Sequence, residues 1–198
     1  LGSEFRRIYG PPSVVEHFGG GAVHYPPGAF GQSNLAIAER IIERVRTEIP
    51  EGARVAEFYA GVGAIGLSLV DRASELRLNE VSPAALAGLG FGLGALTPEN
   101  RVKITVTPGP AGSAVAIADD AEVVIADPPR KGLDPELTRF LAARPPARLL
   151  YVSCGLESFL SDTAELLAGG GLRLAALSAF SLLPFTEHVE TVARFERA

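Results

Sequence analysis

Residues 53–66, ARVAEFYAGVGAIG, decide how this sequence is interpreted. The run ARVAEFY is typical of a buried strand, and the glycines of GVGAIG follow it directly, where a helix is expected to open. Gly61 and Gly63 allow a tight turn and let a nucleotide approach the backbone N–H groups closely. This stretch therefore predicts an α/β domain with a nucleotide-containing cofactor bound at the loop.

Two classes of cofactor fit such a loop. A dinucleotide places its pyrophosphate on the N-terminus of the helix. S-adenosylmethionine sites tend instead to carry an acid in the preceding strand, because the ligand has a cationic sulfonium and amine, and Glu57 stands at that place. Glu80 ends the next strand, where a carboxylate accepts hydrogen bonds from ribose hydroxyls in either class. Glu57 thus favours the sulfonium cofactor. The alternative interpretation is that Glu57 is only an acid at the end of a strand and that the glycines only form a turn.

Predicted helices and strands alternate outward from this loop. Strands are predicted at 53–59, 74–81, 101–107, 121–129, 147–154, 172–180 and 188–197. Helices are predicted at 34–49, 64–73, 82–96, 134–145 and 156–170, with Asn34, Ser82 and Asp134 as N-caps. The alternation predicts a Rossmann-like α/β fold with a seven-stranded, mostly parallel sheet covered on both faces. Because residues 181–187 are too few for a helical crossover, the last strand should pair antiparallel.

Composition limits the classes of protein that remain. The 198 residues suit one domain, and 47% apolar residues supply a sizeable core. A net charge of −5 argues against general affinity for nucleic acid, which needs a basic surface. The single cysteine excludes a disulfide framework and a cysteine-built metal site, so we expect no metal. No apolar stretch of about 18 residues suggests a membrane span.

Two further motifs carry chemistry. In DPPRKGLDPEL, residues 127–137, Asp127 closes the fourth strand at the sheet edge where α/β proteins bind ligands, and two prolines follow it. This motif is either a platform that positions a planar base or a rigid loop before a helix. In YVSCG, residues 151–155, Cys154 is either a buried core thiol or a nucleophile at a strand end.

Taken together, these pieces resemble the RNA uracil-C5 methyltransferases. The matching elements occur in the order found in that family, and they cover most of the chain from residue 30 onward. They are FGQSN at 30–34, EFYAGVGAIG at 57–66, NEVSPAAL at 79–86, DPPRKGLDPEL at 127–137, YVSCG at 151–155 and PFTEHVE at 184–190. The resemblance implies a class I methyltransferase fold and S-adenosyl-L-methionine as the methyl donor.

The resemblance also implies roles for individual residues. Cys154 matches the nucleophile that adds to C6 of uracil, and Glu190, the last residue of an H-x-E motif that begins at His188, matches the base that removes the C5 proton. Although these two residues are 36 positions apart, we expect them to converge beside Asp127. Cofactor contacts are implied at Gln32, Tyr59, Glu80 and Asp127, in addition to the loop glycines Gly61 and Gly63.

The sequence departs from the family pattern at several positions. Ala64 and Gly155 stand where the family often has asparagine, while Phe185 and Glu187 replace a usual histidine and glycine. TPGPAG at 107–112 lacks a usual acid near the adenine.

The resemblance further implies how the chain is organised and what it acts on. Residues 1–29 are interpreted as a vector remnant, LGSEF, with an N-terminal lead-in, and residues 30–198 as the catalytic domain. The substrate would be a uridine in structured tRNA or rRNA, gripped largely by an N-terminal RNA-binding region that this chain lacks, in the cytoplasm. The alternatives are a non-catalytic cofactor- or RNA-binding paralogue and a methyltransferase that acts on another nucleobase.

Overall fold

The structure, a computed structural model, describes residue 6 and residues 8–182, 186 and 189–198. Within these residues the strands are β1 (Val14–Phe18), β2 (Gly21–Tyr25), β3 (Arg54–Phe58), β4 (Glu75–Glu80), β5 (Ile104–Pro108), β6 (Val123–Ala126), β7 (Arg148–Ser153), β8 (Leu172–Phe180) and β9 (Glu190–Arg197). The helices are α1 (Leu35–Arg46), α2 (Pro83–Ala95), α3 (Pro98–Arg101), α4 (Pro135–Ala143) and α5 (Leu156–Ala168).

Seven of these strands form one sheet, in the order β5-β4-β3-β6-β7-β9-β8. Neighbours from β5 to β7 pair parallel, while β9 runs antiparallel to both β7 and β8. The predicted fold class and its antiparallel last strand are therefore confirmed. The chain proceeds from β3 outward to β5 and then returns to β6 on the other side of β3, which creates a crevice at the carboxyl ends of the two strands.

Apolar side chains from alternate strand positions build a core on each face of the sheet. Val55 and Val123 belong to one cluster together with α1, whereas the next residues, Ala56 and Val124, belong to the other together with α4 and α5. A period of two is what a strand buried on both faces requires. The parallel strands are thus held from both sides.

The segment predicted as a helix at 64–73 forms only a short 3-10 helix, Gly66–Leu69. The reason is close tertiary packing around two glycines. A Cβ at Gly63 would lie 2.6 Å from Leu89 Cδ1, and one at Gly66 would lie 2.3 Å from Glu57 Oε2. These contacts, rather than the helical period, decide the local backbone.

An antiparallel hairpin of β1 and β2 precedes the sheet and was missed by the sequence analysis. Gly19 and Gly20 form its two-residue turn, both with positive φ (54° and 86°), which suits the twist of a hairpin. Phe18 and Val23 enter the core beside α1. The hairpin lies within the segment interpreted as a lead-in, and the proposed division at residue 30 stays a prediction.

Two of the three predicted N-caps cap their helices. The Asn34 side chain accepts a hydrogen bond from the Ile37 N–H, and Ser82 accepts one from the Ala85 N–H. Asp134 occupies the N-cap position of α4, but its carboxylate accepts hydrogen bonds from Gly112 and Lys131 instead. The predicted capping by this side chain is therefore wrong, because the carboxylate is drawn into contacts with neighbouring loops.

A buried ion cluster joins α1 to β7 and β9, the two strands next to the candidate catalytic residues Cys154 and Glu190. Glu48, just beyond α1, is 6% exposed and contacts Arg44, Arg194 on β9 at 2.8 Å and Arg148 on β7 at 3.6 Å. Burial of the Glu48 carboxyl raises its pKa, but hydrogen bonds from Arg194 and Arg44 outweigh this effect and lower the pKa overall. Because several cations contact the Glu48 carboxylate, its ion pairs link β7 to β9.

Two glycines of α2 predict opposite responses to the same substitution. A Cβ at the exposed Gly90 meets nothing within 4 Å, whereas one at Gly88 would lie 2.3 Å from the His24 carbonyl oxygen in β2. We expect Gly90→Ala to stabilise the protein by about 0.5–1 kcal/mol through lower backbone entropy in the unfolded chain. Gly88→Ala should destabilise it by about 1–3 kcal/mol through overpacking.

Urea denaturation of the two variants and the parent protein measures both effects. Equal stabilisation by the two substitutions would contradict the packing of the hairpin against α2.

Candidate active site

One cavity of about 980 Å³ opens at the crevice between β3 and β6. It is formed by the carboxyl ends of β3, β4, β6 and β7, by the loop before α1 and by the start of β9. Seven of the eight predicted site residues line it: Gln32, Tyr59, Gly61, Glu80, Asp127, Cys154 and Glu190. Its volume is at the upper end of the roughly 300–1,000 Å³ usual for small-molecule sites, which leaves room for two adjoining ligands.

Gly63 is the predicted site residue that does not line the cavity. Its φ is +86°, a conformation that favours glycine, and the space beside its Cα is filled by Leu67 and Leu89. Gly63 therefore shapes the loop from behind rather than contacting a ligand.

The glycine loop is fixed to β4 through Glu80. Its Oε2 accepts a hydrogen bond from the Gly61 N–H at 2.7 Å, and its Oε1 accepts from Val81 and Ser82 at 2.8 and 2.6 Å. A carboxylate has about four acceptor sites, so three backbone donors orient it and leave capacity for a ligand hydroxyl. Glu80 is 8% exposed, and what is exposed faces the cavity.

Tyr59 forms part of the wall in a strained backbone conformation. Its φ is +60°, which costs a non-glycine residue free energy, and its hydroxyl accepts a hydrogen bond from the Asp134 N–H at 2.8 Å. Burial raises the pKa of Tyr59 to about 12, despite that hydrogen bond. The ring is thereby held between the glycine loop and the segment that follows β6.

Glu57 lies deeper in the cavity wall and is 1% exposed. Among the described residues, its Oε2 receives no hydrogen bond of good geometry. Burial and the nearby Asp127 carboxylate raise the pKa of Glu57 well above its usual value, although the Gly66 backbone N–H opposes the shift. A cationic group in the cavity would stabilise the ionised form of this carboxyl.

The register of β7 and β9 brings Cys154 and Glu190 together. The last pair in the ladder is Ser153 with Thr191, and a continuation of this register by one position would set Cys154, just beyond β7, opposite Glu190. Directly opposed residues of an antiparallel pair project their side chains to the same face. The Thr191 hydroxyl also donates a hydrogen bond to the Ser153 carbonyl, which fixes the pairing at this end.

Asp127 and Arg130 complete the surroundings of the thiol. Burial and the neighbouring Glu190 carboxylate raise the pKa of Asp127 to about 7, and burial raises the pKa of Glu190 while Arg130 opposes that shift. The pKa of the Cys154 thiol is raised by burial and by both carboxylates, and it is lowered by the guanidinium of Arg130, which lies within hydrogen-bond reach. Arg130 is therefore the cation that favours both the thiolate and the ionised Glu190.

The loop before α1 adds the remaining wall. Gln32 lines the cavity, and the Asn34 side chain donates a hydrogen bond to the Leu182 carbonyl at 3.1 Å, which ties this loop to the segment that follows β8. Phe30, at the rim, is 77% exposed.

Asn79 is a site residue that the sequence analysis missed. Its buried amide donates hydrogen bonds to the Thr107 and Gly109 carbonyls at 2.9 and 2.8 Å, and it lines the cavity. An asparagine at the end of a buried strand, directly before Glu80, was the available signal. Its effect is to fix the loop of 107–112 against the cavity.

Two departures from the family pattern have visible local consequences. Ala64 lines the cavity and brings no polar group into it. A Cβ at Gly155 would lie 2.8 Å from the Ser158 hydroxyl and 2.9 Å from the Arg130 carbonyl oxygen, so glycine permits the close approach of these two loops. Phe185, Glu187 and His188 lie outside the described residues.

Two features are absent from the described part of the chain. No cluster of three or more His, Cys, Asp or Glu side chains there is arranged to hold a metal ion. No helix there combines the length and the apolar character that a bilayer span needs.

Comparisons with known proteins found similar RNA methyltransferases. Residues 117–198 match the family model described as tRNA (Uracil-5-)-methyltransferase. An uncharacterized RNA methyltransferase of Protochlamydia amoebophila is 34% identical, over 98% of this chain and 50% of the relative. The tRNA (uracil(54)-C(5))-methyltransferase of Pyrococcus abyssi is 28% identical, over 96% of this chain and 44% of the relative.

The crystal structure of the Pyrococcus abyssi tRNA (uracil-54, C5)-methyltransferase in complex with S-adenosyl-L-homocysteine superimposes with a TM-score of 0.82 and 27% identity. The aligned region covers 94% of this chain and 44% of the Pyrococcus abyssi chain. The chain thus spans about half the length of the curated relatives it matches.

The charges around Cys154 predict how its reactivity responds to mutation. Since the ionised Glu190 disfavours the thiolate, Glu190→Gln should lower the thiol pKa. Arg130→Ala removes the stabilising cation and should raise it. The pH dependence of iodoacetamide alkylation, read by mass spectrometry, reports this pKa without ambiguity because the chain has one cysteine.

Exposed Glu165→Gln on α5 is a matched charge control and should leave the alkylation profile unchanged. A Glu190→Gln profile that moved to higher pH would contradict the opposed arrangement of the two side chains.

Proposed function

We propose that this chain, which belongs to the RNA uracil-C5 methyltransferase family, is the catalytic part of an enzyme that methylates C5 of a uridine in tRNA or rRNA. The methyl donor is S-adenosyl-L-methionine, and the reaction passes through a covalent adduct with the protein. The observation that carries the proposal is the pairing of β7 with β9, beside which the Cys154 thiol and the Glu190 carboxyl line one large cavity.

The residues present fit S-adenosyl-L-methionine. The Glu80 carboxylate, oriented by three backbone donors, suits the ribose hydroxyls, and the Glu57 carboxyl, which lines the same cavity, suits a cationic ligand. Gln32, Tyr59 and Asp127 line the same cavity as the thiol. When bound, the cofactor supplies an electrophilic methyl group.

Cys154 starts the reaction, because C5 of uracil is too weak a nucleophile to take a methyl group unaided. Its thiolate sulfur adds to C6, and the electron pair of the C5–C6 bond moves toward the O4 carbonyl, which makes C5 enolate-like. C5 then forms a bond to the methyl carbon as the bond from that carbon to sulfonium sulfur breaks. Arg130 favours this sequence by stabilising the thiolate that adds.

Glu190 ends the reaction as the proton acceptor. Its carboxylate takes the C5 proton, the C5–C6 double bond forms again, and the thiolate leaves. Burial and the neighbouring Glu190 carboxylate raise the pKa of Asp127 to about 7, and burial also raises the pKa of Glu190, while the Arg130 guanidinium opposes that rise and favours the ionised base.

The substrate must present a base outside its stack, since Cys154 lies at the cavity edge and is half-buried. Arg130 and Lys131 at the rim supply local positive charge, but the chain carries a net charge of −5. The phosphates of RNA are bound most strongly by clustered basic residues. We therefore assign most of the RNA binding to the part of the relatives that this chain does not span. We also propose that the protein acts in the cytoplasm, together with its RNA substrate.

A cofactor-affinity prediction follows from Ala64. An asparagine at this position would add a hydrogen-bonding amide to the cavity wall, and one hydrogen bond is worth roughly 0.5–1.5 kcal/mol, or about 2- to 12-fold in affinity. We expect Ala64→Asn to bind S-adenosyl-L-homocysteine more tightly by about that factor, measured by calorimetry on the 198-residue chain. Ala87→Asn, on the exposed side of α2, is the control and should leave the affinity unchanged.

If the folded parent protein shows no S-adenosyl-L-homocysteine binding at millimolar concentration, the cofactor assignment is wrong. If Ala64→Asn gains nothing while the parent binds, only the role given to this position is lost.

The mechanism predicts that two variants fail at different steps. Cys154→Ala should form no covalent complex with RNA and no product, because addition at C6 is blocked. Glu190→Gln should add and methylate but then stall, because the C5 proton is retained and the thiolate is not expelled. The longest natural form of the protein, incubated with RNA and radiolabelled cofactor, should give a labelled adduct in denaturing electrophoresis only with Glu190→Gln.

Both variants must fold and bind RNA like the parent protein for this comparison. Product formation by Cys154→Ala would exclude the covalent route, and equal absence of adduct in both variants would exclude Glu190 as the proton acceptor. Cofactor binding without methylation by the parent protein would favour the non-catalytic paralogue.

A further inference from the structure

Asp162 forms a polar contact beneath the active site that the mechanism above does not use. It lies in the middle of α5, and its Oδ2 accepts a hydrogen bond from the Tyr151 hydroxyl at 2.6 Å and another from the Leu133 backbone N–H at 2.9 Å. Tyr151 belongs to β7 and is fully buried. One carboxylate oxygen therefore joins the sheet, helix α5 and the loop that carries Arg130.

The backbone of that loop is shaped to meet Asp162. Gly132 has a φ of +87°, and a Cβ there would lie 2.5 Å from Asp162 Oδ2 and 3.0 Å from Ser158 Cβ. The carboxylate is thus packed directly against the loop backbone. A residue with a side chain at position 132 would displace it.

Further contacts keep the two ends of the loop in place. Asp127, at its start, extends the β3–β6 pairing, since its N–H donates to the Phe58 carbonyl at 3.5 Å. Asp134, at its end, donates to the Tyr59 hydroxyl at 2.8 Å. Between these anchors, Asp162 is a side chain that reaches the loop from α5, the helix that begins two residues after Cys154.

We propose that Asp162 is a positioning residue that holds the segment 130–133 against α5 and β7, so that the guanidinium of Arg130 stays beside the Cys154 thiol. The inference rests on the proposed function for its biological meaning, but its first readout requires neither RNA nor methyl transfer. The contact of Gly155 with the Arg130 carbonyl, where a Cβ would lie at 2.9 Å, shows how closely the two loops are already fitted.

The charged and titratable groups that face Cys154 come from three elements. They are Glu190 on β9, Asp127 at the end of β6, and Arg130 on the loop. Of these, Arg130 lies on the segment that Asp162 holds, while Asp127 and Glu190 are fixed by the sheet. Loss of Asp162 should therefore act on the thiol as loss of Arg130 does.

The sign of the effect separates positioning from direct electrostatics. Removing a negative charge from the neighbourhood of a thiol lowers the thiol pKa if nothing moves. Releasing the loop removes the stabilising guanidinium and raises it. Asp162→Ala therefore tests the proposal by the direction in which the alkylation profile of Cys154 moves.

The experiment compares Asp162→Ala, Arg130→Ala, the double variant and the control Glu165→Ala, which removes an exposed carboxylate of the same helix. We expect the iodoacetamide profile of Asp162→Ala to move to higher pH, as that of Arg130→Ala does, and the double variant to show no shift beyond Arg130→Ala alone. Glu165→Ala should retain the parent profile. Circular dichroism and thermal unfolding verify that each variant is folded.

A second variant keeps the test decisive if Asp162→Ala does not fold. Asp162→Asn retains the shape of the side chain and can offer its amide oxygen to both donors, but a neutral oxygen accepts weaker hydrogen bonds than a carboxylate, so it should shift the profile in the same direction by a smaller amount. An unchanged profile, or one moved to lower pH, in the folded variants would overturn the proposal. So would a double variant whose shift is the sum of the two single shifts.

Activity provides the link to catalysis in the longest natural form of the protein. A misplaced catalytic group costs on the order of 10- to 100-fold in kcat, whereas KM for the cofactor should stay within about twofold because Glu80 and Gln32 lie on other elements. A parallel loss of cofactor binding would show a general structural role instead. If the parent protein does not methylate RNA but the alkylation shift is observed, the proposed function fails and the positioning role stands.

Discussion

The antiparallel pairing of β7 with β9 determines where the proposed catalytic residues lie. Cys154 directly follows β7, Glu190 begins β9, and the pairing of Ser153 with Thr191 brings both residues to the same end of the two strands. A slip of one residue would turn them to opposite faces, because the side-chain period of a strand is two. The Glu48 cluster resists such a slip, since it joins both strands to α1 through Arg148 and Arg194.

The same pairing of β7 with β9 places the Cys154 thiol in surroundings that disfavour its ionised form. The thiol that ionises in the proposed mechanism lies beside two carboxyls, and both raise its pKa. Arg130 is the compensating cation, and it is held on a loop rather than on the sheet. The arrangement therefore depends on how firmly that loop is attached, and its hydrogen bonds to Tyr59 and Asp162 provide the attachment.

Local sequence patterns predicted the sheet, its antiparallel last strand and the caps at Asn34 and Ser82, because apolar periodicity and capping act over a few residues. They overestimated the helix after the glycine loop, since packing around Gly63 and Gly66 overrides helical periodicity there. The β1–β2 hairpin was not predicted, although the Gly19–Gly20 pair is a local turn signal. The link from Asp162 to Leu133 spans 29 positions, and no local pattern contains it. The roles of the candidate catalytic residues came from a family resemblance, and they remain predictions.

The most direct test of the account uses RNA that carries 5-fluorouridine at the methylated position. Fluorine at C5 is not removed as a cation, so the reaction should stop after addition and methyl transfer, with the base still bound to sulfur. Nuclease and protease digestion followed by mass spectrometry of the longest natural form should find a methylated fluorouridine on the peptide that contains Cys154. An adduct on another residue, or normal methylation of unmodified RNA with no adduct from the fluorinated RNA, would contradict the central role of the Cys154–Glu190 pair.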